Sequence, residues 1–554
     1  MVYYDYLTFR HRDSNPHLPL SEGHNMSNKK QNFMKGAVIL IAANIIVKLI
    51  GAAFKIPLTY LLNEEGMALF STSYTMYTFL FIVATAGLPV AISRMISQSR
   101  AKGNLKEVKK IFSVSIRLLA AIGIVGTCVL FFGAGYFADV LENGDAKLGI
   151  MAIAPAMLFV SLMSAYRGFF QGHQDMYPTA LSEVSEAVGK LVIGYICASY
   201  FMKYGVIYAA AGAVFGVAMG GFLGFIVLFA VYAVKRKSIY AQNSVGISRS
   251  NSTLLKELVV IAVPITIGAS VFSLTSLIDM SMIMRNLQAG GFSYKEAKFM
   301  WGSYSGYTIP LFNLPPTLIS AISISLVPAI SGAFSVGDMK TVRSTTKNSL
   351  LITLLFALPC AVGMACLAEP ILAVVYHNTN ASSTLFILSF AIVFVSLVMV
   401  TNAILQSIGK ERIPVINMII GGVVKILINN YLVKNPSVNI NGAPIGTNAC
   451  YIVILLLNLY WIHREIGVKL PAVRFVVKPV ISVAVMAFAV VMTYGALMRF
   501  GTLASLFASI LCGGVVYVIM IFALRTVTAE VMEAIPGLSK LLPILKKYKL
   551  VGEK

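Results

Sequence analysis

Asn44, Lys48, Gly51 and Lys55 recur at i, i+4, i+7 and i+11 and so share one stripe of a helix. They lie in an apolar run, 36–62, that is long enough to cross a bilayer. At the helical rise per residue, Lys48 sits roughly 18 Å in from the start of that run, near the midplane. An ammonium there costs on the order of 3 kcal/mol even on a lenient insertion scale, so it calls for a partner, water or a ligand. For Lys55, nearer the far surface, snorkelling competes with a ligand role. The stripe reads as the wall of a hydrated, cationic cavity.

A second set lies in the run 179–201, where Glu183, Glu186 and Lys190 share a face. Glu186 precedes Lys190 by four residues, the favourable order for a helical ion pair, so self-neutralisation is the simplest reading. Lys425 occupies the equivalent place in a later run, with Gly421 and Asn429 on its face. Two pseudo-symmetric lysines on one seam predict a binding surface. Asp279 stacks one turn from Thr275, with Arg285 beyond it. It reads as an ion or proton site, as Glu183 does, or as a partner for a cavity lysine. Arg94 and Arg167 lie at run ends, where they anchor, and either could meet an entering phosphate. His173, His377 and His463 are isolated. The chain has no P-loop, and no Ser/His/Asp or paired-carboxylate constellation stands out, so no enzyme and no cofactor is expected. Its six cysteines form no CxxC or Cys/His cluster, which implies neither a metal site nor a disulfide framework.

The elements that must hold these residues are membrane spans. Of 554 residues, 58% are hydrophobic and 12% charged, with a mean hydropathy of +0.81. Soluble domains carry about twice that charge. The net charge of +22 does not imply nucleic acid, because the basic residues cluster in short loops between apolar runs, as beside anionic lipid. Fourteen runs follow: 36–62, 67–92, 111–136, 148–170, 179–201 and 206–234; then, after a basic linker, 254–284, 299–330, 350–367, 383–408, 414–433 and 444–462; then 479–497 and 503–524. Domains are read as a polar tail 1–33, a first lobe 34–234, a linker 235–253, a second lobe 254–462, and the remainder 463–554. The tail lacks the apolar core of a signal peptide, and Met26 or Met34 is an alternative start to Met1. Lysine and arginine bias puts both termini on the cytoplasmic side. Proline interrupts several runs, the run 299–330 most of all. Two short amphipathic pieces, 137–141 and 370–376, look interfacial and carry no visible chemistry.

The chain repeats itself. Gly103-Asn104-Leu105-Lys106 returns as Gly337-Asp338-Met339-Lys340, an offset of 234, and Ala210-Ala211-Gly212 returns as Pro444-Ile445-Gly446 at the same offset. The unit is six spans, an even number, so both copies share one topology and a substrate site falls between two lobes.

Ala84-Thr85-Ala86-Gly87-Leu88-Pro89-Val90-Ala91-Ile92-Ser93-Arg94, with Tyr304-Ser305-Gly306, Pro310-Leu311-Phe312-Asn313-Leu314-Pro315 and Ser325-Leu326-Val327-Pro328-Ala329-Ile330-Ser331, resembles the SpoVB/YtgP group of polysaccharide-biosynthesis membrane proteins. That group is similar to the MurJ lipid II flippases, within the superfamily that also holds the MATE exporters. The resemblance covers the chain from about Phe33 onward. It implies an all-α polytopic fold of two six-helix lobes plus two C-terminal helices that form a lipid-facing groove. It also implies alternating-access transport of an undecaprenyl-pyrophosphate-linked saccharide across the bacterial cytoplasmic membrane. MurJ-type proteins carry arginine in an Arg-x-x-Gly setting in the first helix; Lys48-Leu49-Ile50-Gly51 matches it with lysine, and Lys55 falls approximately where a second arginine does. Lysine is a point charge and lacks the guanidinium fork. A monomer is expected, coupled to membrane potential, Na+ or H+. The alternatives are a MATE-like exporter of cationic drugs, which should show carboxylates in its cavity, a membrane saccharide polymerase, which would need a large external loop, and a structural scaffold, which leaves the buried lysines unexplained.

Overall fold

The computed structural model describes residues 22–240, 247–468 and 470–527, and among them no β-strand occurs. The first half comprises α1 (Glu22–Thr85), α2 (Leu88–Ala101), α3 (Leu105–Phe132), α4 (Ala134–Val140), α5 (Lys147–Ile153), α6 (Ala156–Gly172), α7 (Tyr177–Phe201) and α8 (Val206–Tyr240). Next come α9 (Asn251–Ala289), α10 (Tyr294–Ser303), a π-helical turn Tyr304–Thr308, α11 (Ile309–Phe312) and α12 (Leu314–Ser335). Then follow α13 (Met339–Cys366), α14 (Ala368–Tyr376), α15 (Ser382–Ser389), α16 (Ala391–Ser407), α17 (Arg412–Leu432) and α18 (Gly442–Ile466). The last pair is α19 (Lys478–Leu497) and α20 (Thr502–Ala523).

Helix α1 begins at Glu22, inside the segment read from sequence as a polar tail. It breaks at Asn63 (φ 54°, ψ −169°), which turns one helix into two antiparallel limbs. Among the described residues, ten helical segments are long and apolar enough to span a membrane, or eleven with the bent pair around Pro155, against fourteen runs expected. Three runs make up the difference from eleven: the expected second span shares a segment with the first, the eighth is broken into α10, the π turn, α11 and α12, and the seventh lies in α9, part of whose side chains fall outside the described residues. Pro310 and Pro315 sit at the starts of α11 and α12, where a missing N–H costs nothing. The interruption read from the prolines of that run is therefore present as a break into short helices.

The repeat is written in the backbone. Left-handed residues recur in pairs: Gly103 with Gly337, Glu142 with His377, Gln174 with Gly409, and Gly205 with Asn439, each offset by 234 or 235 residues. Asn104 and Asp338, at one repeat position, cap α3 and α13 by accepting the backbone N–H three residues on. The break between α5 and α6 returns between α15 and α16.

The bundle has two ends, one carrying the basic loops near 102–110 and 337–347 and the other the acidic loops near 63–65 and 139–145. At the acidic end both halves share one core, in which Leu58, Leu62 and Met67 pack with Met284, Trp301, Tyr304 and Val433. At the basic end the cores, among the described residues, are separate. Ile92, Ile96, Phe169 and Phe170 centre one, and Ile330, Val342, Ile404 and Ile462 the other. Leu254, Leu258 and Ala262 of α9 belong to the first of these, so α9 begins in the first lobe, although the linker was read as a boundary before residue 254. It ends beside α17, where Asn286 Nδ2 donates to Asn429 O. A shared core at one end and two cores at the other is the shape of a wedge.

Glycine sets the wall of that wedge. Gly212, Gly216, Gly220 and Gly224 line one edge of α8 at four-residue spacing and let α7 approach backbone to backbone. A Cβ at Gly216 would lie 2.2 Å from Gly194 Cα, and one at Gly220 2.6 Å from Glu186 O. This contact sets the rotation of α7, with the Cβ atoms of Glu186 and Lys190 against the glycine edge and Glu183, Glu186 and Lys190 lining the cavity beyond it.

Candidate functional site

Between the two limbs of the wedge lies a cavity of about 650 Å3. Lys48, Gly51 and Lys55 line it from α1, Glu183, Glu186 and Lys190 from α7, and Asn313 and Thr317 from the broken run. Two sets of residues far apart in the chain thus meet on one wall, as their types predicted.

The charges are not paired as sequence spacing suggested. Glu186 Oε2 lies 2.9 Å from Arg167 Nη2 of α6, and Arg167 Nε donates to Ser182 Oγ at 3.2 Å. Lys190, the expected partner, instead lies over the Tyr74 ring at 4.4 Å and the Phe54 ring at 5.6 Å. Among the described residues it has no carboxylate within ion-pair distance. Cation–π contact of this kind offsets part of the cost of holding an ammonium away from water. Lys48 is exposed to the cavity and makes no ion pair among the described residues. A side chain at Gly51 would meet nothing within 4 Å. Lys55 is half-buried, and its Nζ donates to the carbonyl of Ser305 in the π turn at 3.3 Å, bridging the two halves. Three lysines therefore face Glu183 and an already neutralised Glu186.

The remaining expected residues lie elsewhere. Lys425 is half-buried on α17 and does not line this cavity, so the seam of paired lysines is replaced by a lining whose lysines all come from the first lobe. Asn44 is exposed on α1, one turn before Lys48, and outside the lining. Arg94 and Arg285 are exposed on α2 and α9, also outside it. Asp279 and Thr275 lie on α9, but their side chains fall outside the described residues, as do Lys469 and the basic tail after residue 527.

Sequence reasoning missed three features. Tyr74 and Phe54 form the cradle under Lys190, which the Tyr74/Tyr77 spacing on the second limb of α1 could have signalled. Tyr376, in a piece read as carrying no chemistry, lines the cavity because the second repeat folds α14 back over it. The third is the closure of the acidic end. Lys298, almost fully buried, donates to Glu65 at 3.1 Å and to Asp145 at 2.8 Å. Glu64 accepts from Asn378 at 2.6 Å and Asn380 at 3.2 Å, and Tyr60 Oη bonds Val375 O and His377 Nδ1. Gly302 lies against the Glu64 carbonyl so closely that a Cβ would sit 1.7 Å from its oxygen. Among the described residues there is no group of three or more His, Cys, Asp or Glu that could hold a metal ion.

A family model described as "Polysaccharide biosynthesis protein" matches residues 33–334, and one described as "MatE" matches residues 305–431. The stage V sporulation protein B of Bacillus subtilis is 24% identical over 518 residues, which is 93% of this chain and 99% of that one. The lipid II flippase MurJ of the same organism is 28% identical over 480 residues, 82% of this chain and 87% of that one. A solved structure titled "Lipid II flippase MurJ, inward closed conformation" superposes with a TM-score of 0.64 at 17% identity, over 87% of this chain and 98% of that one. That structure carries the same multi-pass helical fold.

Proposed function

The chain belongs to the polysaccharide biosynthesis protein family of multi-pass membrane proteins, and from that premise we propose that it is a flippase for a lipid-linked saccharide. The cargo we propose is an undecaprenyl-pyrophosphate-linked saccharide, lipid II foremost, moved across the bacterial cytoplasmic membrane by alternating access. One observation carries the reading: Lys48, Lys55 and Lys190 converge on one cavity in which Glu186 is already neutralised by Arg167.

A pyrophosphate cannot cross hydrocarbon unpaired, because taking a charge out of water is costly unless it is paired and hydrogen-bonded. Three ammonium groups supply that pairing, and charge-assisted hydrogen bonds to phosphate oxygens are the strong kind. With the basic loops facing the cytoplasm, the wedge opens inward and the Lys298 and Glu64 contacts close the outer end. The headgroup enters between the lobes, and the prenyl tail stays in the lipid. Outward movement requires the outer contacts to part and the basic end to close. The membrane potential, inside negative, assists an anion by about 2.3 kcal/mol per charge per 100 mV. Both termini are then cytoplasmic, anionic lipid contacts the basic loops, and the working unit is a monomer. A drug exporter of MATE type would need net negative charge here, which three lysines oppose.

Complementation tests the proposal. A strain depleted of its lipid II flippase should be rescued by the wild-type chain and not by Lys48→Ala. Equal rescue by both would remove the cavity lysines from the mechanism, and no rescue by the wild type would exclude lipid II as cargo.

A further inference from the structure

Glu183 and Glu186 reach the cavity from one face of α7, yet their surroundings differ. Glu186 is held by Arg167, whose Nε is taken by Ser182. Glu183 Oε2 is closed off from solvent, and among the described residues no donor reaches it. Arg167 on α6 and Glu186 on its own helix are the charges that act on it. The other facing elements bring no donor to that oxygen. Helix α1 contributes Lys48, Lys55 and Tyr74 to the cavity, with Tyr77 beside Glu186 and Arg167. Lys190 stands two turns along α7, over Tyr74. Helix α8 presents Gly220 and Gly224, the broken run Asn313 and Thr317, and α16 Val395 and Met399.

A buried carboxylate oxygen without a donor is an unfavourable anion, and the neutral acid removes that charge. A metal ion would require several oxygens gathered around it, and a guanidinium already occupies this wall. A proton needs one oxygen.

We propose that Glu183 is a proton-binding site of the cavity, and that a proton and the anionic headgroup bind together. The inference rests on the pyrophosphate reading above. The step is a protonation alone: a proton from water bonds to a Glu183 carboxyl oxygen, and no other bond is made or broken. Charged Glu183 cancels part of the field of Lys48, Lys55 and Lys190, and protonation restores it. By linkage, whatever factor the proton adds to headgroup affinity, the headgroup adds to proton affinity. Loading the cavity therefore takes up a proton, and emptying it releases one.

The test uses the full-length protein in lipid nanodiscs titrated with undecaprenyl pyrophosphate, by calorimetry in two buffers of different ionisation heat. The wild type should take up protons on binding, and its affinity should weaken by up to about tenfold per pH unit once Glu183 ionises. Glu183→Gln should bind with the low-pH affinity at every pH and take up none. Uptake that persists in Glu183→Gln, or binding without uptake in the wild type, overturns the proton site and leaves the cargo standing. If the wild type binds no pyrophosphate lipid at any pH, the cargo reading fails, and infrared spectra of the ligand-free protein decide Glu183 separately. A carboxylic-acid carbonyl band that titrates in the wild type and is missing from Glu183→Gln supports the site; no such difference overturns it.

Discussion

Arg167 holds Glu186 at 2.9 Å, and that contact leaves Lys190 without a carboxylate partner among the described residues. The two candidates for Glu186 differ in reach and geometry. Lys190 is one helical turn away with a single point charge, whereas Arg167 comes from α6 with a fork that spans Glu186 and Ser182 together. A guanidinium satisfying two acceptors outcompetes an ammonium satisfying one.

Arg167→Ala should therefore hand Glu186 to Lys190 and draw that lysine off Tyr74. The cavity loses one usable cation without any change to a cavity lysine. A hydrogen bond to a charged group contributes about 1.5–3 kcal/mol, so headgroup affinity should fall on the order of tenfold or more. Titration with undecaprenyl pyrophosphate in nanodiscs reads this. Adding Glu186→Gln to Arg167→Ala should restore affinity, because nothing then captures Lys190.

Much of this was legible from spacing alone. Lys48, Gly51 and Lys55 share a stripe because helical periodicity is local, and they do line the cavity. The repeat offset was visible in loop motifs, and it holds for the left-handed residues. The pairing of Glu186 was not legible, since i,i+4 order reports only the helix's own contribution and Arg167 arrives through tertiary packing. Lys425 misled for a related reason: an internal repeat preserves backbone position, while each copy surrounds that position with different side chains. The glycine edge of α8, spaced at 212, 216, 220 and 224, was present in the sequence as a packing signal for α7.

His173 gives a pH dependence outside the membrane spans. Burial holds its imidazole below the ordinary 6.5, and Arg100 pushes the same way, against the hydrogen bond to Phe169 O and the charge of Asp175. Its Nε2 is buried without a partner among the described residues. The folded state therefore stays neutral where the unfolded chain takes a proton, so stability is full above 6.5 and declines as pH falls through it. Melting temperature in detergent should drop over that window for the wild type, and less for His173→Phe. An unchanged acid limb in the variant would assign the loss to other groups.

Gly302 controls how closely the halves meet. Alanine there would place a methyl 1.7 Å from the Glu64 carbonyl oxygen, next to the chain reversal at Asn63. Overpacking at such a contact costs about 1–3 kcal/mol, and the cost falls on the closed acidic end alone. Gly302→Ala should raise the reactivity of a cysteine introduced at Ser303 towards an impermeant maleimide, in a background free of the six native cysteines. Gly51→Ala, which meets nothing within 4 Å, is the matched control and should leave that reactivity unchanged.

Lys298 ties the same end electrostatically. Its side chain is 3% exposed, while its partners Glu65 and Asp145 are 51% and 43% exposed. The burial cost of this contact thus falls on the lysine, and a methionine of similar length should fill the space at little cost to the fold. What methionine cannot do is hold two carboxylates of the first half against the second. Lys298→Met should leave the melting temperature nearly unchanged and shift the acidic end towards opening by about 1–2 kcal/mol, on the order of tenfold in population. Spin labels on cysteines replacing Asp139 and Lys295, both exposed at that end, would report the shift as a longer-distance population. A large loss of melting temperature with no change in that population would make Lys298 a packing residue instead of a latch.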